Sequence, residues 1–274
     1  MLDINLNPIL FSIGSFEVRW YGVMIVVAVI SGIGISLLEA KRRNFSQDVI
    51  WDIGLWAVIG GIIGARLLHV IDKWDFYFNH PDQLLNFAGL AVWGAVLGAG
   101  VALLIYCLVK KISFWLLGDI VAPGAIMAQA IGRIGCMING CCYGDTCDLP
   151  IAVTYENPNS YAPLGVPIYP TQEFHMIWNL LGFIVLWLIR KKVKPDGALF
   201  LIWLIFFGVG DFAVRFFRGD TTPFMFGLPE AQIVDIPVVT VAVILLVVKV
   251  IRYKKAVPAA EAVEVNKNGQ NQAG

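Results

Sequence analysis

The chain has 274 residues, of which 58% are hydrophobic and 15% charged, and its 20 basic and 20 acidic side chains cancel. A mean hydropathy of +0.73 excludes an ordinary soluble domain, and the zero net charge excludes a nucleic-acid binder built on a basic surface. Apolar runs of helix length then point to an all-α integral membrane protein, because lipid leaves backbone polar groups to be satisfied within each helix.

A helix needs roughly 20 apolar residues to cross the bilayer. About seven stretches qualify, at roughly 20–39, 50–71, 86–109, 112–137, 173–190, 197–217 and 232–251. No cleavable signal peptide is expected, since the basic cluster follows the first apolar run instead of preceding it. Lys41-Arg42-Arg43, Lys110-Lys111, Arg190-Lys191-Lys192 with Lys194, and Arg252 with Lys254-Lys255 follow the first, third, fifth and seventh stretches. The other connections hold few basic residues, mainly Lys73 and Arg218. The positive-inside rule therefore puts the N-terminus outside and the C-terminus in the cytoplasm. One transmembrane domain is expected over about residues 1–255, with an external loop at about 138–172 and a disordered cytoplasmic tail at about 256–274.

In chain order, the polar residues out of place in these runs are Arg19 and Tyr21, Arg66 and His69, Arg133, His175, Asp211 with Arg215 and Arg218, and Asp235. With Trp93 they all fall at the outer-leaflet end of their segments, as a cavity open to that leaflet requires; Asp119, nearer the inside, is the exception. Arg133 is the most informative. A guanidinium cannot shed its proton to escape hydrocarbon, so it needs an anion or water, and the small anion expected there is a lipid phosphate. Asp211 and Arg215, four apart, share a helix face and form an expected structural ion pair. Arg133 with Arg215 and Arg218 could clamp a phosphate from two sides.

Four of the five cysteines, Cys136, Cys141, Cys142 and Cys147, crowd the start of the external loop. Their spacing matches no zinc pattern, and no metal is expected. A disulfide on the external side stays open; otherwise these are small buried residues. Pro158, Pro163, Pro167 and Pro170 keep the loop irregular, and it could lid the cavity.

An ordered series of short runs resembles the prolipoprotein diacylglyceryl transferases. It comprises Phe11-Ser12-Ile13-Gly14, Val18-Arg19-Trp20-Tyr21-Gly22, Gly64-Ala65-Arg66-Leu67, Gly89-Leu90-Ala91-Val92-Trp93-Gly94-Ala95, and Asp119, Ala122-Pro123 and Gln129 leading into Gly132-Arg133-Ile134-Gly135. Asn139-Gly140, Gly144, Pro170-Thr171-Gln172 and Arg218-Gly219-Asp220 complete it. The resemblance implies an enzyme of the bacterial cytoplasmic membrane, its site facing the outer leaflet. Such an enzyme moves the diacylglyceryl group of phosphatidylglycerol to the lipobox cysteine thiol of a prolipoprotein, the first step of lipoprotein maturation. A thioether forms, glycerol phosphate leaves, and no cofactor is implied. The partners implied are phosphatidylglycerol and prolipoprotein signal peptides in the bilayer.

On the same resemblance Arg133 binds the phosphatidylglycerol headgroup, with Arg66, Arg215, Asn139 and Gly144 assigned to that site, and Tyr21 is catalytic. The chain departs from the family's pattern where a histidine often stands at position 93, occupied here by Trp93. Arginine and glutamate often stand where Asp211 and Arg215 reverse the pair. A glutamate is usual where His175 stands, so His175 is either a replacement base, with an ordinary pKa of about 6.5, or a histidine that caps its helix. Two other readings are a catalytically inactive relative that binds lipid or signal peptide, and a transporter of an anionic solute, although no internal repeat of the transporter kind is visible.

Overall fold

The structure, a computed structural model, describes residues 2–14, 16–72, 74–79 and 92–271. Most of them are helical. Among the described residues six helices can, by length and composition, cross a membrane: α1 (Trp20–Arg42), α2 (Gln47–Asp72), α5 (Phe114–Asn139), α6 (Thr171–Ile189), α7 (Ala198–Arg215) and the first part, to Ala256, of α8 (Glu230–Asn271). Two further helices are α3 (Trp74–Asn79) and α4 (Val92–Lys110). The expected third span falls partly outside the described residues; α4 carries a shorter apolar stretch, Leu97–Lys110.

Two expectations change. The fold is not purely helical: short strands β1 (Leu2–Ile4), β2 (Ile9–Ile13), β3 (Phe16–Arg19), β4 (Val153–Tyr155), β5 (Pro223–Met225) and β6 (Leu228–Pro229) form three two-stranded sheets. Two are hairpins that fold back locally, but β1 pairs in parallel with β4, Leu2 opposite Val153. The loop at 138–172 is thus built around a strand that the N-terminal residues complete. Second, α5 ends at Asn139, two residues beyond the expected end of its stretch at 137. The backbone of α8 is helical to Asn271; the side chains beyond 256 lie outside those described.

The chain divides into two compact units, Met1–Ile35 with Gly118–Gly274, and Ser36–Leu117. In the second unit α2 and α4 lie backbone to backbone. A Cβ on Gly64 would stand 2.2 Å from the Gly94 carbonyl oxygen, and one on Gly98 would stand 2.1 Å from that of Gly60. Small residues four apart on both helices allow this approach, the usual solution in lipid, where no hydrophobic effect drives helices together. The Tyr106 hydroxyl donates to the Asp52 carboxylate at 2.8 Å, and Arg42 and Arg43 both pair with buried Glu39.

In the first unit α1 crosses α5 where both are small. A Cβ on Gly32 would stand 3.3 Å from the Gly124 carbonyl oxygen, and one on Gly135 3.0 Å from Met24 Cβ. Ile126 of α5, Leu186 of α6 and Leu199 of α7 form an apolar core closed by Phe183, Trp203 and Phe206. Outside the helices Ile4, Val153, Tyr155, Ala162 and Ile168 make a second core beneath Met137, Tyr143 and Val166. That core holds the loop in one conformation despite its four prolines.

Asp119, the exception in the sequence reading, has a structural role. Its carboxylate accepts the Gly197 and Phe200 amides at 2.8 and 2.9 Å, so it caps the N-terminus of α7 from another helix. Gly197, left-handed at φ 91°, cannot do this itself. Asp119→Ala strands buried amide donors and is expected to lower stability by about 2 kcal/mol. The check is the thermal midpoint of unfolding together with faster hydrogen exchange at the α7 start; an unchanged midpoint would refute the role.

Candidate active site

The site begins with how α5 ends. The Gly140 amide donates to the Met137 carbonyl at 3.3 Å and the Cys141 amide to the Cys136 carbonyl at 3.2 Å. These are the paired bonds of a Schellman stop, with Gly140 left-handed at φ 71° as that stop requires. Such a stop brings the residue after the glycine back against the one three positions before the cap, here Cys141 against Cys136. Cys142 is also left-handed, φ 61°. It is held there because the Thr171 hydroxyl donates to its carbonyl at 2.8 Å, while the Gln172 amide donates to the Cys141 carbonyl at 3.0 Å. The Tyr155 phenol donates to the Met137 carbonyl at 2.8 Å; burial, above all, pushes its pKa up, so it remains a donor. The three thiols are free, and their sulfurs all lie within 4.8 Å of one another. Hydrogen bonds from Cys136 and Cys141, aided by the fields of Arg218 and Arg133, hold the Cys142 thiol below the ordinary thiol range against the opposing effect of burial.

Gly144 comes next, and its backbone bridges to Arg218 at the end of α7. The Asp145 amide donates to the Phe217 carbonyl at 2.8 Å and the Gly219 amide to the Tyr143 carbonyl at 3.1 Å. A Cβ on Gly144 would stand 2.3 Å from the Tyr169 carbonyl oxygen, so only glycine fits. The turn after α5 and the turn after α7 are stitched together.

Against this scaffold lies a buried charge cluster centred on Asp211 of α7. Arg215 donates to one oxygen of Asp211. The other oxygen faces His175 Nε2 at 3.6 Å and an Arg133 terminal nitrogen at 3.8 Å. Asp211 and His175 are 3% and 1% exposed, so water cannot screen these charges. Arg133, whose side chain is 17% exposed, makes no hydrogen bond among the described residues: it is drawn to Asp211 but keeps its donors uncommitted. Arg218, by contrast, forks both nitrogens onto Asp220 at 2.8 Å each, which removes it from a simple phosphate clamp. Asn179, both Glu173 oxygens, His175 Nε2 and Asp235 Oδ2 are buried without a hydrogen-bond partner. Buried polar groups are usually paired, so each of these calls for a partner.

The structure gathers most of the residues read from the sequence into the first unit. The Tyr21 phenol is in electrostatic reach of Arg133, Cys136, Cys141 and Cys142, where Gly135 lets α1 approach. Asn139 accepts Arg19 Nη1 at 3.1 Å, and Arg19 also lies 4.4 Å over the Tyr161 ring; Asn139 therefore fixes the external loop to β3. Arg66 belongs to the second unit, where it sits 5.0 Å over the Tyr77 ring. The Trp93 side chain lies outside those described. Sequence reasoning missed Asn179, Glu173 and the meeting of three cysteines. The first two carried a signal, being polar residues inside an apolar span.

The chain is similar to known proteins over most of its length. The family model described as prolipoprotein diacylglyceryl transferase matches residues 8–248. The chain is 38% identical over 257 residues to the phosphatidylglycerol–prolipoprotein diacylglyceryl transferase of Dehalococcoides mccartyi strain 195, covering 93% of this chain and 98% of that protein. Proteins of the same name from Listeria welshimeri and Listeria monocytogenes are 37% and 38% identical over 222 residues, covering 79% of this chain and 80% of each of theirs.

Proposed function

The chain belongs to the prolipoprotein diacylglyceryl transferase family and is a membrane-embedded transferase, and on that premise we propose how it uses phosphatidylglycerol and a prolipoprotein. The lipobox cysteine thiol attacks the glyceryl carbon that carries the phosphate ester. A carbon–sulfur bond forms, the carbon–oxygen bond breaks, and glycerol phosphate leaves with the electron pair. The protein must favour the thiolate, which is the nucleophile, and must stabilise charge growing on the departing phosphate. The uncommitted donors of Arg133, held beside buried Asp211, are the observation that carries this reading. Arg215 fixes the far side of Asp211, so that Arg133 is pulled to one place without being consumed there. Gly144 and Asn139 hold the turn beneath the headgroup.

Tyr21 sits within reach of both Arg133 and the cysteine turn and orients the reacting groups. His175 is the proton acceptor in this scheme. His175→Ala is expected to slow transfer at least 10-fold at neutral pH; full activity across the neutral range would remove it from that role. The reaction runs at the outer leaflet of the bacterial cytoplasmic membrane. The protein spans it seven times, N-terminus outside and C-terminus in the cytoplasm, with the loop at about 138–172 over the site.

The deciding experiment is purified protein in vesicles containing phosphatidylglycerol and a lipobox peptide, followed by mass spectrometry. A diacylglyceryl mass on the peptide's cysteine is expected. No mass shift with folded protein would overturn the reading.

A further inference from the structure

We propose that Cys136, Cys141 and Cys142 form a three-thiolate binding site for a zinc ion. The spacing of these residues resembles no zinc motif, because the ligands are not presented by a knuckle but by a helix stop. Cys136 lies on the last turns of α5, and the Schellman bonds at Gly140 carry Cys141 back over it. That much is also what plain apolar packing across a helix stop produces. Cys142 goes further. It adopts φ 61°, which an L-residue takes only at some cost, and this brings a third sulfur into the same space.

Three sulfurs within 4.8 Å of one another are close to what a metal needs. Zinc–sulfur bonds of about 2.3 Å at tetrahedral angles place neighbouring sulfurs about 3.8 Å apart, so a contraction of under about 1 Å closes the site. The surroundings suit a charged metal–thiolate. Three thiolates around a divalent ion leave one net negative charge, and Arg133 and Arg218 both act on Cys142. The Cys141 and Cys142 carbonyls are tied to Gln172 and Thr171, so the turn that aims the sulfurs is fixed before any ion arrives. Cys141 and Cys142 are only partly buried, which leaves an ion a way in.

The donor set selects the metal. Thiolates favour zinc and other soft or borderline ions and reject magnesium and calcium. A disulfide would use two sulfurs and leave the third unexplained. Three protein donors also leave one tetrahedral position open, the arrangement of zinc sites that admit an outside ligand. The cluster shares Arg133 with the proposed reaction, but the proposal is tested on three thiols and not on a substrate.

The test is a titration of the full-length protein in detergent, reduced and then freed of reductant, with cadmium as a spectroscopic probe for zinc. One equivalent of cadmium should produce a thiolate-to-metal charge-transfer band, and a large excess of zinc should compete it away. Cys136→Ser, Cys141→Ser and Cys142→Ser should each weaken cadmium binding at least 10-fold, while Cys147→Ser and Cys107→Ser leave it unchanged. Should a serine variant fail to fold, zinc should slow alkylation of these three cysteines in the unaltered protein without slowing that of Cys107 or Cys147. Absence of the band, a band indifferent to the three substitutions, or a disulfide within the triad in protein isolated without reductant would overturn the proposal.

Discussion

Arg133→Ala is expected to cut diacylglyceryl transfer by about 100- to 1,000-fold, the loss that follows removal of one preorganised donor to a developing anion. The fold should survive the change. Asp211 keeps Arg215, which already holds one of its oxygens, and Arg133 contributes to Asp211 only an ion pair at 3.8 Å. Arg133→Lys separates charge from shape: lysine supplies a positive charge but not the planar fork that matches phosphate oxygens. It should therefore recover part of the activity and stay about 10-fold or more below the parent. Initial rates against phosphatidylglycerol concentration, with a thermal midpoint for each variant, check this. If Arg133→Ala retains full transfer, Arg133 does not bind the departing phosphate.

The second large effect concerns Asp211. Asp211→Ala leaves three groups converging on an empty place, with Arg215 and Arg133 unpaired and His175 buried among them. Breaking a buried pair by removing one partner costs about 3–5 kcal/mol, because the charge left behind is neither solvated nor matched. Removing Arg215 as well should restore part of that loss, and a double-mutant cycle on unfolding in detergent reads it directly. The exchange Asp211→Arg with Arg215→Asp is the sharper experiment. Were the pair merely a self-neutralising couple on one helix face, the exchange would be tolerated. The cluster makes Asp211 serve Arg133 and His175 as well, so the exchange sets an arginine against Arg133 and should lose both stability and transfer. An exchanged protein as stable and active as the parent would show that the charges at 133 and 175 do not depend on Asp211.

Which parts of this were legible in the sequence follows the range of the interactions. Apolar runs are local, and they located all six long helices to within a few residues at most ends. Arg133 could be singled out because one charged side chain in hydrocarbon demands an explanation without any partner being known. The Asn139-Gly140 turn was visible too, although the true end of α5 depends on the Schellman bonds and lay six residues beyond Arg133. What could not be read was pairing across the chain. Nothing at positions 2–4 announces a strand whose partner is 153–155. Nothing at Asp119 says that its carboxylate will cap α7 some 78 residues away. The meeting of the three cysteines was hidden for a related reason: linear spacing gives side-chain proximity only when the backbone between residues is regular, and here two left-handed residues, Gly140 and Cys142, set it instead.

The glycine seam between α2 and α4 bears on how this sequence can drift. Exchange of glycine for alanine is among the mildest changes in an exposed helix and favours the helix by about 1 kcal/mol. At Gly60, Gly64, Gly94 and Gly98 the sign reverses, because the added methyl must occupy the space of the opposing helix, at 2.1 to 2.7 Å from backbone carbonyl oxygens. A single step on one helix finds no compensating step on the other, since what stands opposite is backbone, which no codon alters. Gly100, on the same helix but with nothing within 4 Å of its added Cβ, is free of that veto. Descendants of this chain can therefore wander at position 100 while positions 60, 64, 94 and 98 stay where they are.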